Sequence, residues 1–187
     1  MEKNKLTKEL LAQSFHDLML HREFEKITIK NITDEAGVIR PTFYYHFQDK
    51  YDVLEYILRR DIIEKVEEMS KMGMEREAIK FVFSALERDR EFYRRAFQVT
   101  GQNSFEEMFQ HYAYEMWKEK LESAKLIQNT KNQLLNEHNV AMYYALGITA
   151  SVKMWLENGK GEVSADELCE AYEFLLTHSI FDLIKMK

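Results

Sequence analysis

The sequence predicts an all-α fold of about nine helices, with a small N-terminal domain over residues 1–50 and a larger helical bundle over residues 51–187. Three observations lead to this prediction. Only six glycines and one proline occur in 187 residues, so turns that need these residues are rare. Apolar residues recur at helical spacing along most of the chain. A hydrophobic content of 45% is enough to bury a sizeable core.

The composition also limits the class of protein. The single Cys169 excludes an internal disulfide and fits a reducing cytosol. No run approaches the ~20 apolar residues that a membrane span needs, and the first residues, MEKNKLTKEL, are too polar for a secretory signal. We therefore expect a cytoplasmic protein that has no membrane partner. The six histidines lack metal-ligand spacing, so no metal or other cofactor is expected.

The charge is unevenly distributed. Residues 1–50 hold eight basic and eight acidic residues, so the net charge of -6 falls entirely on residues 51–187. An acidic protein can still bind phosphate through a small basic face, although composition alone would not predict it.

The first helix is predicted over residues 7–21, with Thr7 as its N-cap. Its apolar residues follow helical spacing, and we interpret it as a packing helix. A short helix follows Thr28, a plausible N-cap, and Gly37 ends it because glycine readily takes a positive φ. Pro41 then suits the first turn of another helix, in which Phe43 and Phe47 face inward.

Two short helices joined by a tight glycine turn form the helix-turn-helix layout, whose second helix enters the major groove of DNA. A generic helical hairpin is the alternative. The run Thr42-Phe43-Tyr44-Tyr45-His46-Phe47 favours DNA binding, because two exposed tyrosines beside a histidine suit contacts with phosphates, sugars and thymine methyl groups.

The run ITIKNITDEAGVIRPTFYYHFQDKYDVL closely resembles the DNA-binding domain of the TetR family, and the resemblance covers residues 7–58. It implies that Thr28 and Lys30 face the DNA backbone or a base edge. It places four residues in the major groove: Arg40, Pro41, Thr42 and Tyr44. Arg40 is the candidate for base readout, of guanine. For each of these outer residues, ordinary solvent exposure is the alternative.

The resemblance also implies three phosphate contacts, from Tyr45, His46 and Lys50. Lys50 begins the next helix, where main-chain N–H groups and the helix dipole also favour an anion.

The remaining chain divides into further helices. Asp49 can cap a helix that runs to about residue 70, and Asp89 can cap a helix over residues 91–99. Ser164 and Glu167 form a capping box at the start of a last helix that runs to about Lys185. The other predicted segments are a helix over 75–88, a helix from 103 or 104 to 124, a polar stretch over 125–136, a helix over 136–157 stopped at 158–159, and a turn over 160–163.

The last two helices carry more apolar surface than one face of a monomer can bury, which predicts a homodimer formed through a four-helix bundle. A larger monomer core is the alternative. In the TetR family such a bundle forms the dimer, and two recognition helices then reach successive major grooves of a palindromic operator in double-stranded DNA. The candidate interface residues are Tyr143, Gly147, Ser151, Trp155, Leu168, Tyr172, Leu175, Leu176, Ser179 and Leu183.

TetR-like second domains usually hold a small-molecule pocket, and an aromatic and methionine stripe offers candidate lining residues. Such a stripe is also typical of a plain core. The candidates are Phe97, Phe105, Met108, Tyr112 and Tyr144, with Phe81 and Trp117 beside them.

The segments REFYRRAF and GQNSF in the second domain resemble a branch of TetR-type regulators that includes the activator of the dihydroxyacetone kinase operon. This resemblance implies transcriptional activation through a dihydroxyacetone-binding co-activator protein. A repressor released by a small molecule is the alternative. Two other classes fit less well. An enzyme would need a nucleophile–base pair, a phosphate loop or a metal site, and a helical interaction module would not need the DNA-compatible outer residues.

Overall fold

The computed structural model describes residues 2–101, 103–124, 132–158 and 163–183, and all regular structure in these ranges is helical. The elements are α1 (Glu2–His21), a 3-10 turn (Phe24–Lys26), α2 (Ile29–Glu35), α3 (Arg40–His46), α4 (Lys50–Leu58), a π-helical turn (Arg59–Ile63), α5 (Glu64–Lys71), α6 (Glu75–Arg88), α7 (Arg90–Ala96), α8 (Phe105–Ala124), α9 (Glu137–Asn158), α10 (Ala165–Thr177) and α11 (Ile180–Leu183). Because α4, the π turn and α5 form one continuous rod, the described residues contain ten helices.

The N-terminal domain packs α1 against α2 and α4. Its core is apolar and fully enclosed, with Leu11, Phe15, Ile32, Phe43 and Phe47 almost inaccessible to solvent. The predicted start of α1 at Thr7 was wrong, because the helix begins at Glu2 and Thr7 lies inside it. The additional turns carry the polar residues that precede the first apolar stripe, so periodicity did not detect them.

The turns around α2 and α3 follow the predicted chemistry. Thr28 is the N-cap of α2, and it forms a capping box with Asn31, whose side chain accepts from the Thr28 N–H at 3.0 Å. Gly37 has a φ of 65°, as expected of a glycine that ends a helix. Pro41 lies in the first turn of α3, where no donor is needed from its nitrogen.

The rod from Lys50 to Lys71 contains a feature that the sequence did not reveal. Asp49 caps α4 as predicted, accepting from the N–H groups of Tyr51 and Asp52 at 2.8 and 3.0 Å. At the end of α4 the helix widens into the π turn Arg59–Ile63. Inserted turns of this kind are rare and are found frequently at functional sites.

The second domain is built around an aromatic core. Helix α6 packs against α5 and α10, and α8 lies along α9. The rings of Phe97, Phe105 and Phe109 contact one another with centroids 5.1–6.5 Å apart. The predicted N-terminus of α8 is confirmed, because Ser104 Oγ accepts from the N–H of Glu107 at 3.2 Å.

The sequence predicted that the side chain of Asp89 caps α7, and this prediction was wrong. The Asp89 carboxylate instead meets His16 of α1, with Oδ2 2.6 Å from Nε2. The Asp89 side chain therefore binds a residue of α1 instead of the main-chain N–H groups at the start of α7.

The C-terminal helix differs from the prediction. The capping box of Ser164 and Glu167 is confirmed, but α10 ends at Thr177 and the short α11 follows from Ile180. The helix breaks where the His178 ring stacks on Phe174 at 3.9 Å. Asp182 then binds both the N–H and the hydroxyl of Ser179 at 2.7 Å, which caps α11. This break gives ten helices rather than about nine.

Several predicted segments lie outside the described residues: the polar stretch over 125–131, the helix stop at Gly159, the turn over 160–162 and the helix end at Lys185. In the part of the chain that is described, no helix is both long and apolar enough to cross a bilayer.

Candidate nucleic-acid interface

Helix α3 presents a polar and aromatic face to solvent. Phe43 and Phe47, four residues apart, fix the helix to the core of the N-terminal domain. Their burial leaves Arg40, Tyr44 and Tyr45 exposed, and Tyr45 is 73% exposed. Pro41 is also exposed, whereas Thr42 and His46 are half-buried. The structure therefore brings the predicted major-groove and phosphate residues of α3 together on one outer surface.

Arg40 is held in place by its own helix. Its guanidinium donates to the Tyr44 hydroxyl at 3.1 Å and lies 5.8 Å from the centre of the Tyr44 ring. A guanidinium presents five donors in a planar fork, so Arg40 retains free donors for a guanine edge. The contact with Tyr44 reduces the freedom that Arg40 would lose on binding DNA.

Thr28 and Lys30 lie at the exposed N-terminal end of α2. Thr28 uses its hydroxyl in the capping box, accepting from the Asn31 N–H at 3.2 Å and donating to the Asn31 side chain at 2.8 Å. Lys30 forms an ion pair with Asp34 one turn later. Both side chains therefore have partners within α2, and a DNA contact would share or replace them.

Lys50, which is predicted to contact a phosphate, has partners within the protein. Its ammonium donates to the main-chain carbonyls of Phe24 and Ile27 at 2.6 and 3.1 Å, with that of Glu25 at 3.5 Å. It also lies 4.1 Å from the centre of the Phe24 ring. An ammonium has three donors, and all of them are directed at the protein. The geometry thus gives Lys50 a structural role: it fixes the segment before α2 against the start of α4.

Ile39 is a candidate contact that the sequence reasoning missed. It is the N-cap residue of α3, and its side chain is 70% exposed. An apolar side chain beside Arg40 suits the methyl group of thymine. Its position between the glycine turn and Pro41 could have indicated an exposed side chain. The prediction for this segment, however, included only Pro41 and the polar and aromatic residues of the outer face.

Polar contacts of Glu9 and His16 join α1 to residues that follow the helix-turn-helix. Glu9 of α1 accepts from the Tyr56 hydroxyl at 2.6 Å and from Arg60 at 2.9 Å. His16 of α1 binds Asp89 and stacks on Phe92, with ring centroids 4.6 Å apart. The hydrogen bond to Asp89 outweighs burial and raises the pKa of His16. The orientation of α1 is therefore tied to the π turn and to the α6–α7 junction.

The predicted ligand-binding residues are divided between the core and two clefts. Phe97 and Phe105 are buried in the aromatic core. Met108 and Tyr112 line a polar cleft beside the start of α4. Tyr144 instead lines an outer groove on α9 and α10. The helical spacing of apolar residues indicates which side of each helix is turned inward. It does not indicate which helices pack against one another, and so it cannot show which side chains line the same cleft. Phe81 and Trp117 are also partly buried against the core.

The outer groove, with a volume of about 530 Å³, contains most of the predicted dimer residues. It is lined by Tyr143, Tyr144, Leu146, Gly147, Ser151, Tyr172, Leu175, Leu176, His178, Ile180 and Leu183. Tyr143 and Leu175 are 72% and 56% exposed. Ser179 is exposed at the break after α10, and Leu168 is partly buried against the core.

Trp155, which is also predicted to lie at the interface, is not among the residues that line this groove. It is buried, its indole N–H donates to the carbonyl of Val163 at 2.9 Å, and Arg90 lies over its ring. Tyr172 is buried in the floor of the groove, and its hydroxyl makes no well-formed hydrogen bond among the described residues, with the indole N–H of Trp117 close enough to influence it.

Comparison with known proteins agrees with this architecture. Residues 16–57 match the family model for bacterial regulatory proteins of the tetR family, and residues 75–171 match a transcriptional regulator C-terminal region. The dhaKLM operon transcriptional activator DhaS of Lactococcus lactis subsp. lactis is 24% identical over 154 residues, which span 80% of this chain and 79% of that protein. The uncharacterised regulator YwcC of Bacillus subtilis is 32% identical over 87 residues, 43% of this chain and 39% of YwcC.

Solved structures share the fold. The dihydroxyacetone kinase operon activator DhaS superposes with a TM-score of 0.68 at 22% identity, covering 91% of this chain and 93% of that one. Thermus thermophilus FadR, a repressor solved with lauroyl-CoA, gives a TM-score of 0.62 at 18% identity, with 96% and 97% covered. The matched N-terminal and C-terminal models, together with the exposed face of α3, show that this chain belongs to the TetR family of DNA-binding transcriptional regulators.

Proposed function

We propose that this regulator is a homodimeric activator of a dihydroxyacetone kinase operon, acting on a palindromic operator together with a dihydroxyacetone-binding partner protein. The similarity to DhaS over 154 residues carries this proposal, because it extends well beyond the DNA-binding domain into the second domain. The aromatic side chains first considered as a ligand pocket support it, since Phe97 and Phe105 pack against each other as core residues.

The exposed groove on α9 and α10 supports the dimer. Its apolar side chains, such as Tyr143 and Leu175, would become buried against the same groove of a second copy. The exposed Gly147 carries no side chain that would hold the two helix pairs apart. A dimer presents two α3 helices, which reach half-sites about 34–36 Å apart on one face of the duplex.

A ligand-released repressor is the second candidate function, and one observation favours it. The buried hydroxyl of Tyr172 lies in the floor of the groove, where the described residues give it no well-formed hydrogen bond and only the indole N–H of Trp117 is close enough to influence it. A small molecule with a polar group could satisfy it, as buried polar groups are usually hydrogen-bonded.

Sequencing of genomic fragments retained by the purified protein tests both candidates, with Arg40→Ala as the matched control for base-specific retention. A palindrome upstream of a dihydroxyacetone kinase operon, with transcription that rises only when the dihydroxyacetone-binding partner is added, is the expected result. Enrichment of the protein's own promoter, with release of DNA by a small molecule alone, would instead establish the repressor. No enriched fragment would contradict both.

A further inference from the structure

The first two turns of α1 lie beside the recognition helix. Helix α1 begins at Glu2 rather than at Thr7, so these turns extend it beyond the segment that the sequence predicts. The Asn4 side chain amide is 3.4 Å from the hydroxyl of Tyr45, the most exposed tyrosine of α3. This contact joins the start of α1 to the surface that we assign to DNA.

Two lysines follow Asn4 in these two turns of the helix. Lys5 is exposed, and Lys8 is half-buried, with its ammonium 4.3 Å from the centre of the Tyr56 ring and 5.0 Å from that of Phe47. Burial and then the positive charge of Lys8 lower the pKa of His46 at the end of α3. Lys8 is thus close enough to α3 for its charge to act on a side chain of that helix.

The neighbouring carboxylate is already engaged. Glu9 accepts hydrogen bonds from Tyr56 and Arg60. Burial raises the pKa of Glu9, but these hydrogen bonds, together with the charges of Arg60 and Lys5, lower the pKa overall. A carboxylate that is paired with Arg60 offsets little of the positive charge on the outer side of α1. Lys5 and Lys8 are therefore a local basic pair on a chain whose net charge is -6.

The spacing suits a nucleic-acid backbone. Residues three and four apart are neighbours on a helix surface, with Cβ atoms about 5–6 Å apart, so Lys8 lies beside both Asn4 and Lys5. Phosphate contacts from lysines fix a protein on a duplex and carry no sequence information.

We propose that the first two turns of α1 form a second DNA contact, in which Lys5 and Lys8 bind phosphates flanking the half-site and Asn4 positions Tyr45. This inference rests on the DNA binding in the proposed function. It assigns a binding role to a helix that the sequence indicated only as packing, and it extends the footprint beyond the helix-turn-helix.

The test is a salt titration of operator binding with the full-length protein, from about 50 to 200 mM KCl, using the site recovered from the genomic selection. We expect the Lys5→Gln/Lys8→Gln double variant to have a slope of log K against log[salt] that is smaller by about 0.9 for each phosphate that it no longer binds. The matched control is Lys65→Gln/Lys71→Gln, which removes the same charge from α5. Lys65 is about 22 Å along the helix rod from Lys50 at 1.5 Å per residue.

A second duplex, trimmed at the flanks of each half-site, gives an independent readout. Wild type should bind more weakly when the flanks are removed, whereas the double variant should bind both duplexes equally. Since Lys8 packs on Tyr56, Lys5→Gln alone is measured as well and should retain half of the slope change with unaltered stability.

Equal salt slopes in wild type and both α1 variants would overturn the inference while leaving the regulator's DNA binding intact. A wild-type protein that selects no site at all would instead remove the proposed function, and the inference with it. The two failures are therefore distinguishable in one set of measurements.

Discussion

His16 Nε2 lies 2.6 Å from Asp89 Oδ2, so an imidazole of the first helix meets a carboxylate at the junction of α6 and α7. The His16 ring is also stacked on Phe92, and its Nδ1 lies 3.1 Å from Asp17. This contact joins the helix that supports the DNA-binding domain to the second domain, where a partner or ligand would act.

The His16 contact predicts a pH-dependent stability. Because the hydrogen bond to Asp89 raises the pKa of His16 in the folded protein, the stabilisation is fully present below the unfolded pKa of about 6.5 and is lost as pH rises through the folded pKa. We expect the urea midpoint to fall as pH increases through this window. His16→Gln should flatten that dependence, whereas His21→Gln, on an exposed position of the same helix, should preserve it. Parallel curves for wild type and His16→Gln would contradict this assignment.

Arg40 is expected to read a base. Replacing Arg40 with Ala should cost about 1–3 kcal/mol at the preferred site and relax the preference at one position of each half-site. Tyr44→Phe, which removes only the hydroxyl that Arg40 contacts, should weaken binding less and keep the preference. Fluorescence anisotropy on a panel of single-base operator variants measures both effects. An unchanged base preference in Arg40→Ala would exclude Arg40 from base readout.

Lys50 is expected to stabilise the fold rather than to bind phosphate. Lys50→Met should lower the free energy of unfolding by about 1.5–3 kcal/mol, because it removes the charged hydrogen bonds to Phe24 and Ile27. The salt slope of DNA binding should stay at the wild-type value. Lys71→Met, on an exposed position at the end of α5, is the control for charge. A wild-type stability combined with a slope lowered by ~1 would restore the phosphate role.

The groove on α9 and α10 is expected to hold the dimer together. Leu175→Asp should convert the protein to a monomer in sedimentation velocity, because it would bury an unpaired charge in the interface. Operator affinity should fall by about 10²-fold or more when two half-sites are no longer linked. Leu134→Asp, an equally apolar and 70% exposed position before α9, should leave the dimer unchanged. A dimeric Leu175→Asp protein would place the interface elsewhere.

Local chemistry was predictable where it depends on neighbouring residues. The N-cap at Thr28, the capping box at Ser164, the positive φ of Gly37 and the inward faces of Phe43 and Phe47 are all confirmed. Each depends on residues within about four positions of one another, so the sequence contains the whole interaction. The all-α architecture follows from the same short-range signals.

Side chains that have two possible partners were harder to predict. Asp89 had a local cap available but binds His16, 73 residues away, whereas Lys50, predicted to contact a phosphate, binds carbonyls some 25 residues earlier in this structure. Such choices depend on which helices pack together, which periodicity does not specify. The predicted ligand-binding side chains, such as Phe97 and Tyr144, lie apart from one another for the same reason.

The π turn has a consequence for the construction of hybrid regulators. The two arginines that begin this turn bind different helices. Arg59 donates to the hydroxyl of Tyr112 of α8 at 3.2 Å, whereas Arg60 donates to the carboxylate of Glu9 of α1 at 2.9 Å. The wide turn holds one residue more than an α-helical turn, so α5 keeps the phase of a regular helix that is one residue shorter. Winding the same residues as an uninterrupted α-helix would rotate α5 by about 100° relative to α4, since a helix has 3.6 residues per turn. A chimaera that joins this DNA-binding domain to another sensor must therefore leave one residue of the π turn out of the helical count, or its two halves will be assembled out of phase.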